Sequence, residues 1–452
     1  MVADADKLIT TANDTWDGLL RQDPPDIAQI SRWQLAHHLA ASGPVCKTLR
    51  PHFVTAQQHA ADREAAEAVF AALCLAGDFV ASQPRLRERY LGLFWDEFAD
   101  WFALQVGHSV RHVNANLDAY VTEAGLQFLE LNAFPAGREF TDRISEMFSG
   151  LAIFARFQQH HPLRALSACA DRNAAFLAAY REWGGREQPV LGGVRTPRGE
   201  TSVLMENTYA AVVAEFARVG IAMHWAEPHE IAFDGKQLRA GPHVLNLMVQ
   251  PNLHLIRKMG PAVWGPLLSA VRAGAVCLTH PYSICHHKSL FAAVTDPASG
   301  LTLPASLRRA VHDHVPWTRL LCAERTSDPD GQSVDLLGWV SAHRERLVIK
   351  PADAFGGEGV VLGWDIEASH WDRMLAQVVA GPGRYIVQQR VTTRKTRWPF
   401  LAAGIPDLLA TADRCPYLVS GRMGGYRSRV SPTEWTNVSR DAGYAPTFVL
   451  TE

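Results

Sequence analysis

LVIKPADAFGGEGVVLG, residues Leu347 to Gly363, decides the reading of this chain. Leu347, Val348 and Ile349 are apolar and partly β-branched, which suits a strand. Lys350 ends that strand and Pro351 follows. Gly356, Gly357 and Gly359 then make a loop with no side chains in the way, and Val360, Val361 and Leu362 form a second apolar run. The segment predicts a strand, a glycine loop and a returning strand, with a lysine at its edge. Backbone N–H groups in such a loop can approach phosphate oxygens closely, and the lysine adds a point charge. It is not a Walker A loop, because the lysine precedes the glycines and no Gly-Lys-Ser/Thr follows. Nor is it Gly-x-Gly-x-x-Gly, because the third glycine, Gly363, falls one place late. Read alone, the loop serves equally as a glycine-rich turn on a surface sheet.

The next informative stretch outward is Asn116–Asn132, NLDAYVTEAGLQFLELN. Leu117, Ala119 and Val121 alternate with Asp118 and Tyr120; Glu123-Ala124-Gly125 reads as a turn and Leu126–Leu131 as the return strand. Side chains two apart share a strand face, so Glu130 and Asn132 point the same way. Pairing across the turn can bring Asp118 beside them. Three oxygen-bearing side chains on one face suit a hard cation such as Mg²⁺, held together with nucleotide phosphates. The alternative is the solvated polar face of an edge hairpin.

Between these two stretches the pattern alternates. Val190–Val194, Ile221–Trp225 and Ala275–Thr279 read as strands, with a run at Val244–Val249 and a turn at Asp234-Gly235. Glu206–Val219 and Pro261–Arg272 read as helices. Such alternation predicts a small, mostly parallel α/β sheet. Cys285, His286 and His287 are adjacent and read as structural, since neighbours rarely converge on one ion. Residues 1–110 read as helical: Asp62–Val80 and the aromatic-rich Tyr90–Val106 both suit helices against a core. Arg50, between helices, reads as a surface arginine. Residues 140–185 read as connecting helices. After the glycine loop, Ser369 is placed to cap a helix whose buried stripe is Trp371, Met374, Leu375, Val378 and Val379. Gly381 ends it, and Tyr385–Val391 is a strand. Arg422, Arg427 and Arg429 gather around two glycines further on. Arginines beside a phosphate site stabilise charge during transfer; a solvated basic loop is the alternative.

Composition bounds the rest. The chain has 452 residues, 47% hydrophobic and 20% charged, with a net charge of −2. That is enough for two to three domains, and the charge points to neither nucleic acid nor an anionic membrane. Seven scattered cysteines without a Cys-x-x-Cys pair predict reduced thiols and a cytoplasmic protein. The first residues, MVADADKLITTANDTWDGLL, do not read as a signal peptide. No uncharged apolar run reaches about 18 residues, so no membrane span is expected.

KPADAFGGEGVVLG resembles the phosphate-covering lid of ATP-grasp enzymes, and the hairpin with Asp118, Glu130 and Asn132 resembles their metal-binding end. The hairpin precedes the lid by more than 200 residues. That order is similar to the circularly permuted branch that includes the glutathionylspermidine synthase family. The resemblance implies a fold of α+β and α/β class: a circularly permuted ATP-grasp fold with a pre-ATP-grasp α/β domain and a helical N-terminal region. The parts would be the helical region 1–110, the metal hairpin with connecting helices 111–185, and the α/β domain 186–285. The lid and adenine part would follow at 286–395, and a part completing the core at 396–452.

The resemblance further implies Asp118, Glu130 and Asn132 as Mg²⁺ ligands, and Lys288 and Lys350 on ATP phosphates under Gly356, Gly357 and Gly359. Gln388, Gln389 and Val391 would border the adenine. Phe134–Gly137, FPAG, continues the likeness. The family carries an arginine two places before the metal aspartate, where this chain has Asn116; Arg429 and Arg138 are its expected catalytic replacements, with Arg111 a further choice. Glu358 puts a negative charge inside the lid. The implied reaction activates a carboxylate by ATP to an acyl phosphate, from which an amine displaces phosphate to form an amide on an amino acid or short peptide. The alternatives are a phosphotransferase on the same fold and a catalytically weak nucleotide-binding regulator. Expected partners are a small carboxylate and a small amine, with no nucleic acid or membrane; a homodimer stays open.

Overall fold

The computed structural model describes residues 2–41, 43–109, 113–133, 137–279, 284–354, 356–393, 395–402, 407–438 and 441–451. Period-two alternation shapes the lid region. In the strand Leu347–Pro351, Leu347 and Ile349 join a hydrophobic cluster with Val387, Trp371 and Leu375. Val348, Lys350 and Gln388 face the other way and line a pocket. Four antiparallel strands make this sheet, in the order Thr318–Leu320, Tyr385–Gln389, Leu347–Pro351, Val361–Leu362. The helices Leu336–Ala342 and Ala368–Ala380 bring Leu336, Val340, Trp371 and Leu375 onto its apolar face. The second helix begins earlier than the cap at Ser369 predicts. Glu367 is the capping position, without a side-chain bond, and its carbonyl accepts the N–H of Trp371 at 3.0 Å, which places Ser369 in the first turn.

A longer antiparallel sheet forms the other half. The strands Asn114–Thr122 and Gly125–Asn132 make a hairpin at one end. Beyond them lie Leu408–Val419, Arg422–Ser431 and Gly443–Ala445. Ala115, Leu117, Ala119, Leu126 and Phe128 sink into the main core, leaving the polar alternates on the open face. One irregularity matters. Ala119 pairs with Phe128 but Asp118 pairs with Glu130, so Leu129 is an extra residue. This bulge sets the two carboxylates opposite one another; an unbroken ladder would have put Leu129 across from Asp118.

The alternating middle region forms a sheet of four parallel strands, in the order Cys277–Leu278, Leu247–Met248, Val190–Val194, Ala222–Ala226. The run at 244–249 does not form one strand. Asn246 accepts the N–H of Val190 at 2.7 Å and donates to the carbonyl of Gln188, which divides the run. His243–Leu245 instead joins Leu238–Ala240 and Ile231–Phe233 in a separate antiparallel sheet.

The first 110 residues are helical with exceptions. The strand His52–Thr55 pairs in parallel with Thr447–Leu450, which also pairs with Leu163–Ala165. The aromatic-rich Tyr90–Val106 is not one helix: Gly92, at φ +53°, separates a π-helical turn from two short helices, Leu93–Glu97 and Ala99–Phe102. The helix Ala56–Ser82 is long and apolar enough to cross a membrane by length and composition. Much of it is instead core, and its buried Asp62 pairs with Arg414 at 2.9 Å. Arg50 is not a surface residue: it is 4% exposed, pairs with Asp17 and donates to the carbonyl of Arg397 at 2.6 Å. Cys285, His286 and His287 are buried, and His287 shares a 2.6 Å hydrogen bond with Ser289. Among the described residues no group of three or more His, Cys, Asp and Glu side chains is placed to hold a metal ion. All seven cysteines are free.

Candidate active site

The lid sheet and the long sheet meet across a pocket of about 420 Å³. Lys350 stands on one wall. It is buried, and its Nζ donates to Gln388 Oε1 at 2.7 Å, while Gln388 Nε2 donates to Thr318 Oγ1 at 3.0 Å. That chain of bonds fixes the ammonium and commits the Gln388 amide inward. Burial pushes Lys350 down to about 8, against the pull of Glu130 and with the help of Lys288. A nucleotide in this pocket would meet the charged form through its phosphates, so its affinity would be highest below pH 8 and fall as pH rises through that value. Lys350→Arg should keep its charge and flatten the profile. Calorimetry with ATP between pH 6.5 and 9.5 checks this; parallel profiles for both proteins would take Lys350 out of phosphate binding.

Lys288 joins the two walls. It precedes the helix Ser289–Thr295; its N–H bonds to Ala352 O at 2.7 Å and its Nζ to Ala354 O at 2.6 Å. The same Nζ lies 3.3 Å from Glu130. The glycine loop closes above. Gly356, Gly357 and Gly359 have φ of +62°, +81° and +67°, a region that disfavours other residues. A Cβ on Gly359 would lie 2.7 Å from the Pro351 ring. Asn437 donates to Gly356 O at 2.9 Å, so the loop rests on the segment before residue 439. Glu358 is exposed and is not among the pocket-lining residues. Gln389 and Val391 line the same wall.

Asp118, Glu130 and Asn132 line the opposite wall. Asn132 Nδ2 lies 3.0 Å from Asp118 Oδ1 and 3.5 Å from Glu130 Oε1, which brings all three together. Two arginines from the strand Arg422–Ser431 cross to the same place. Arg427 bonds to Asp118 Oδ1, and Arg429 Nη2 to Asp118 Oδ2 at 3.0 Å. Cys415, opposite Arg427 in the intervening strand, is buried and small enough for a guanidinium to reach over it. Asp413 clamps Arg429 through the backbone N–H and Nε, both at 2.7 Å. Burial alone would raise the Asp118 carboxyl, but Arg427 and then Arg429 hold it at about 2.

The two carboxylates fit Mg²⁺ in kind, side by side on the pocket wall, while Asn132 turns its amide nitrogen toward them and would have to flip to offer its oxygen. Glu130 turns toward the pocket with 26% of its side chain exposed. Asp118 accepts from Arg427, Arg429, Asn116 and Asn132, so a cation there shares this carboxylate with two guanidinium groups.

Arg138 is not brought to this site. It is 1% exposed, stacks 4.3 Å from the Tyr417 ring and points at the carbonyls of Ala168 and Ala115, both 3.4 Å away. Burial lowers its pKa to about 10. Arg422 leaves the cluster too, pairing with Glu67 at 2.7 Å on the surface. Arg111 and Phe134–Ala136 lie outside the described residues. Sequence reasoning missed Asp413, and saw Arg427 only as one of a group. The available signal was the period-two spacing of Thr411, Asp413 and Cys415 beside that of Arg427 and Arg429.

No protein-family model matches the chain, and no curated protein matches it. Among solved structures, it aligns with a glutathione synthetase-like effector from Globodera pallida at a TM-score of 0.56 and 12% identity. That alignment covers 99% of this chain and 98% of the other. A protein described as a candidate gamma-glutamylcysteine synthetase from Methylobacillus flagellatus aligns at a TM-score of 0.42 and 12% identity, over 80% and 82% of the two chains. The chain is thus a mixed α/β protein that shares the fold of the glutathione synthetase-like effector.

Proposed function

We propose that this protein is an ATP-dependent carboxylate–amine ligase on a circularly permuted ATP-grasp fold, joining an amino acid or short peptide to an amine. The observation that carries the reading is the convergence on one pocket of the buried Lys350, a glycine loop and two opposed carboxylates, with the Lys288 ammonium 3.3 Å from one of them, Glu130. A fold shared with a protein described as glutathione synthetase-like supports the same reading. Lys288 and Lys350 hold ATP phosphates, with the loop at Gly356–Gly359 over them. Closure of that loop keeps water from the activated carboxylate, which water would otherwise hydrolyse. Asp118, Glu130 and Asn132 are the residues that would hold Mg²⁺, which would offset charge on the phosphate oxygens. Arg429, oriented by Asp413, presents a fixed cation beside the same oxygens.

The expected products are ADP and phosphate in one-to-one ratio with an amide, formed only when both acid and amine are supplied. Hydroxylamine in place of the amine should trap the activated acid as a hydroxamate. AMP as the main product, or a stable phosphorylated acceptor, rules the reading out. One observation favours a second reading, a nucleotide-binding regulator with little turnover: Asn116 stands where the family has an arginine. The same assay separates the two, because a regulator binds ATP without any acid or amine stimulating its cleavage.

A further inference from the structure

A second cavity, of about 700 Å³, opens beside the pocket. Leu204 and Val438 line both, so the two spaces meet at these side chains. Four chain segments far apart in sequence close around it, Val438 being one of them. Val45 comes from the segment after the helix Ile27–Ala36, Val203 from the start of the helix Val203–Arg218, and Phe400 and Leu401 from a segment that hydrogen-bonds to Lys47 O through the Leu401 N–H. The lining is apolar in the main. Among the described residues Lys47 is its one charged side chain, and Lys47 Nζ is occupied by the carbonyl of Asp441 at 3.1 Å. Val203 is 63% exposed at the helix start, apolar surface left open among the described residues.

Resting on the ligase reading, we infer that this cavity seats the apolar side chain of the co-substrate: an aliphatic or aromatic amino acid, offered as free amine or as N-acylated acid. Such a molecule places its reacting group past Leu204 and Val438, near the carboxylates and lysines, and its side chain among Val45, Val203, Phe400 and Leu401. A glutamate side chain meets only Lys47, already bonded to the carbonyl of Asp441, and a lysine side chain meets no carboxylate among the described lining residues, so either loses hydration on entry. Apolar side chains of leucine or phenylalanine size gain by leaving water, on the order of tenfold or more in discrimination over glycine.

The test uses the full chain with ATP and Mg²⁺ and two readouts. The first is ADP release across amino acids as amines and N-acetyl amino acids as acids, comparing leucine and phenylalanine with glycine, glutamate and lysine. The apolar members should have kcat/KM at least about tenfold higher. Val203→Glu should raise KM for them about tenfold and leave KM for ATP unchanged, and Val203→Trp should exclude phenylalanine while sparing glycine. The second readout is calorimetric binding of N-acetyl-phenylalaninamide, which has neither a free acid nor a free amine. It should bind wild type and bind Val203→Glu about tenfold more weakly. Turnover of glutamate or lysine as good as leucine, or indifference of both readouts to Val203→Glu, overturns the inference while the ligase reading stands. If the amide binds and responds to Val203→Glu but no acid–amine pair releases ADP, the ligase reading fails and the substrate assignment falls with it.

Discussion

Glu130→Gln is expected to remove ATP turnover while the protein still folds. Glu130 faces the pocket from the rim of the hairpin, and glutamine keeps its shape and can still accept from Lys288 and Asn132. What is lost is one negative charge, at the point where a divalent cation and phosphate oxygens would share ligands. Removing a preorganised charge of this kind costs roughly 10²–10³-fold in rate. Stability should fall, but by less than in Asp118→Asn, since the buried Lys288 ammonium loses its carboxylate at 3.3 Å yet keeps the carbonyl of Ala354. ADP release and a urea titration check both halves. Turnover at the wild-type rate in a folded variant would take the hairpin out of the chemistry.

Asp118→Asn, directly across the ladder, should cost the fold much of its stability as well. Asp118 is the carboxylate on which Arg427 and Arg429 close, and the side chains of both arginines are nearly buried, at 11% and 13% exposure. Arg429 keeps Asp413, but Arg427 loses the carboxylate it is paired with. A buried guanidinium left without its anion destabilises by about 3 kcal/mol. The pH dependence follows from sign. The Asp118 carboxyl is held at about 2, below its ordinary 3.8, so its contribution to stability is present above about pH 4 and fades as pH falls toward 2. The urea midpoint of Asp118→Asn should therefore lie well below wild type at pH 7 and converge on it at pH 2–3. A constant difference across that range would mean that the charge of Asp118 does not hold the arginines.

Much of this site was legible because strand chemistry is local. Leu347, Ile349 and Val387 against Val348, Lys350 and Gln388 is plain alternation, and so is Leu117 and Ala119 against Asp118. Residue type permits the positive φ of Gly356, Gly357 and Gly359, which Gly363 in the same stretch does not adopt. The bulge at Leu129 was not legible: nothing in LQFLELN marks the extra residue, which the ladder with Asn114–Thr122 imposes. Nor was the fate of the arginines. Arg138, Arg422, Arg427 and Arg429 have the same chemistry in sequence, and what separates them is which face of which strand or helix the tertiary fold buries. The break at Gly92 shows the limit of aromatic spacing as a helix signal, because one left-handed backbone position overrides the run around it.

The acid hairpin is a local structure, two strands joined by a short turn, and such hairpins form in about 1–10 μs. Its neutralising partners are not local, since Asp118 and Arg427 lie 309 residues apart. A ribosome adding about 5–20 residues per second therefore emits the carboxylates roughly 15–60 s before the guanidinium that closes on them. Through that interval Asp118, Glu130 and the polar face around them stay open to water and to any divalent ion in the cell. Synthesis in medium depleted of divalent cations, followed by pulse proteolysis of nascent chains, would reveal whether a metal shelters this hairpin until its arginines arrive.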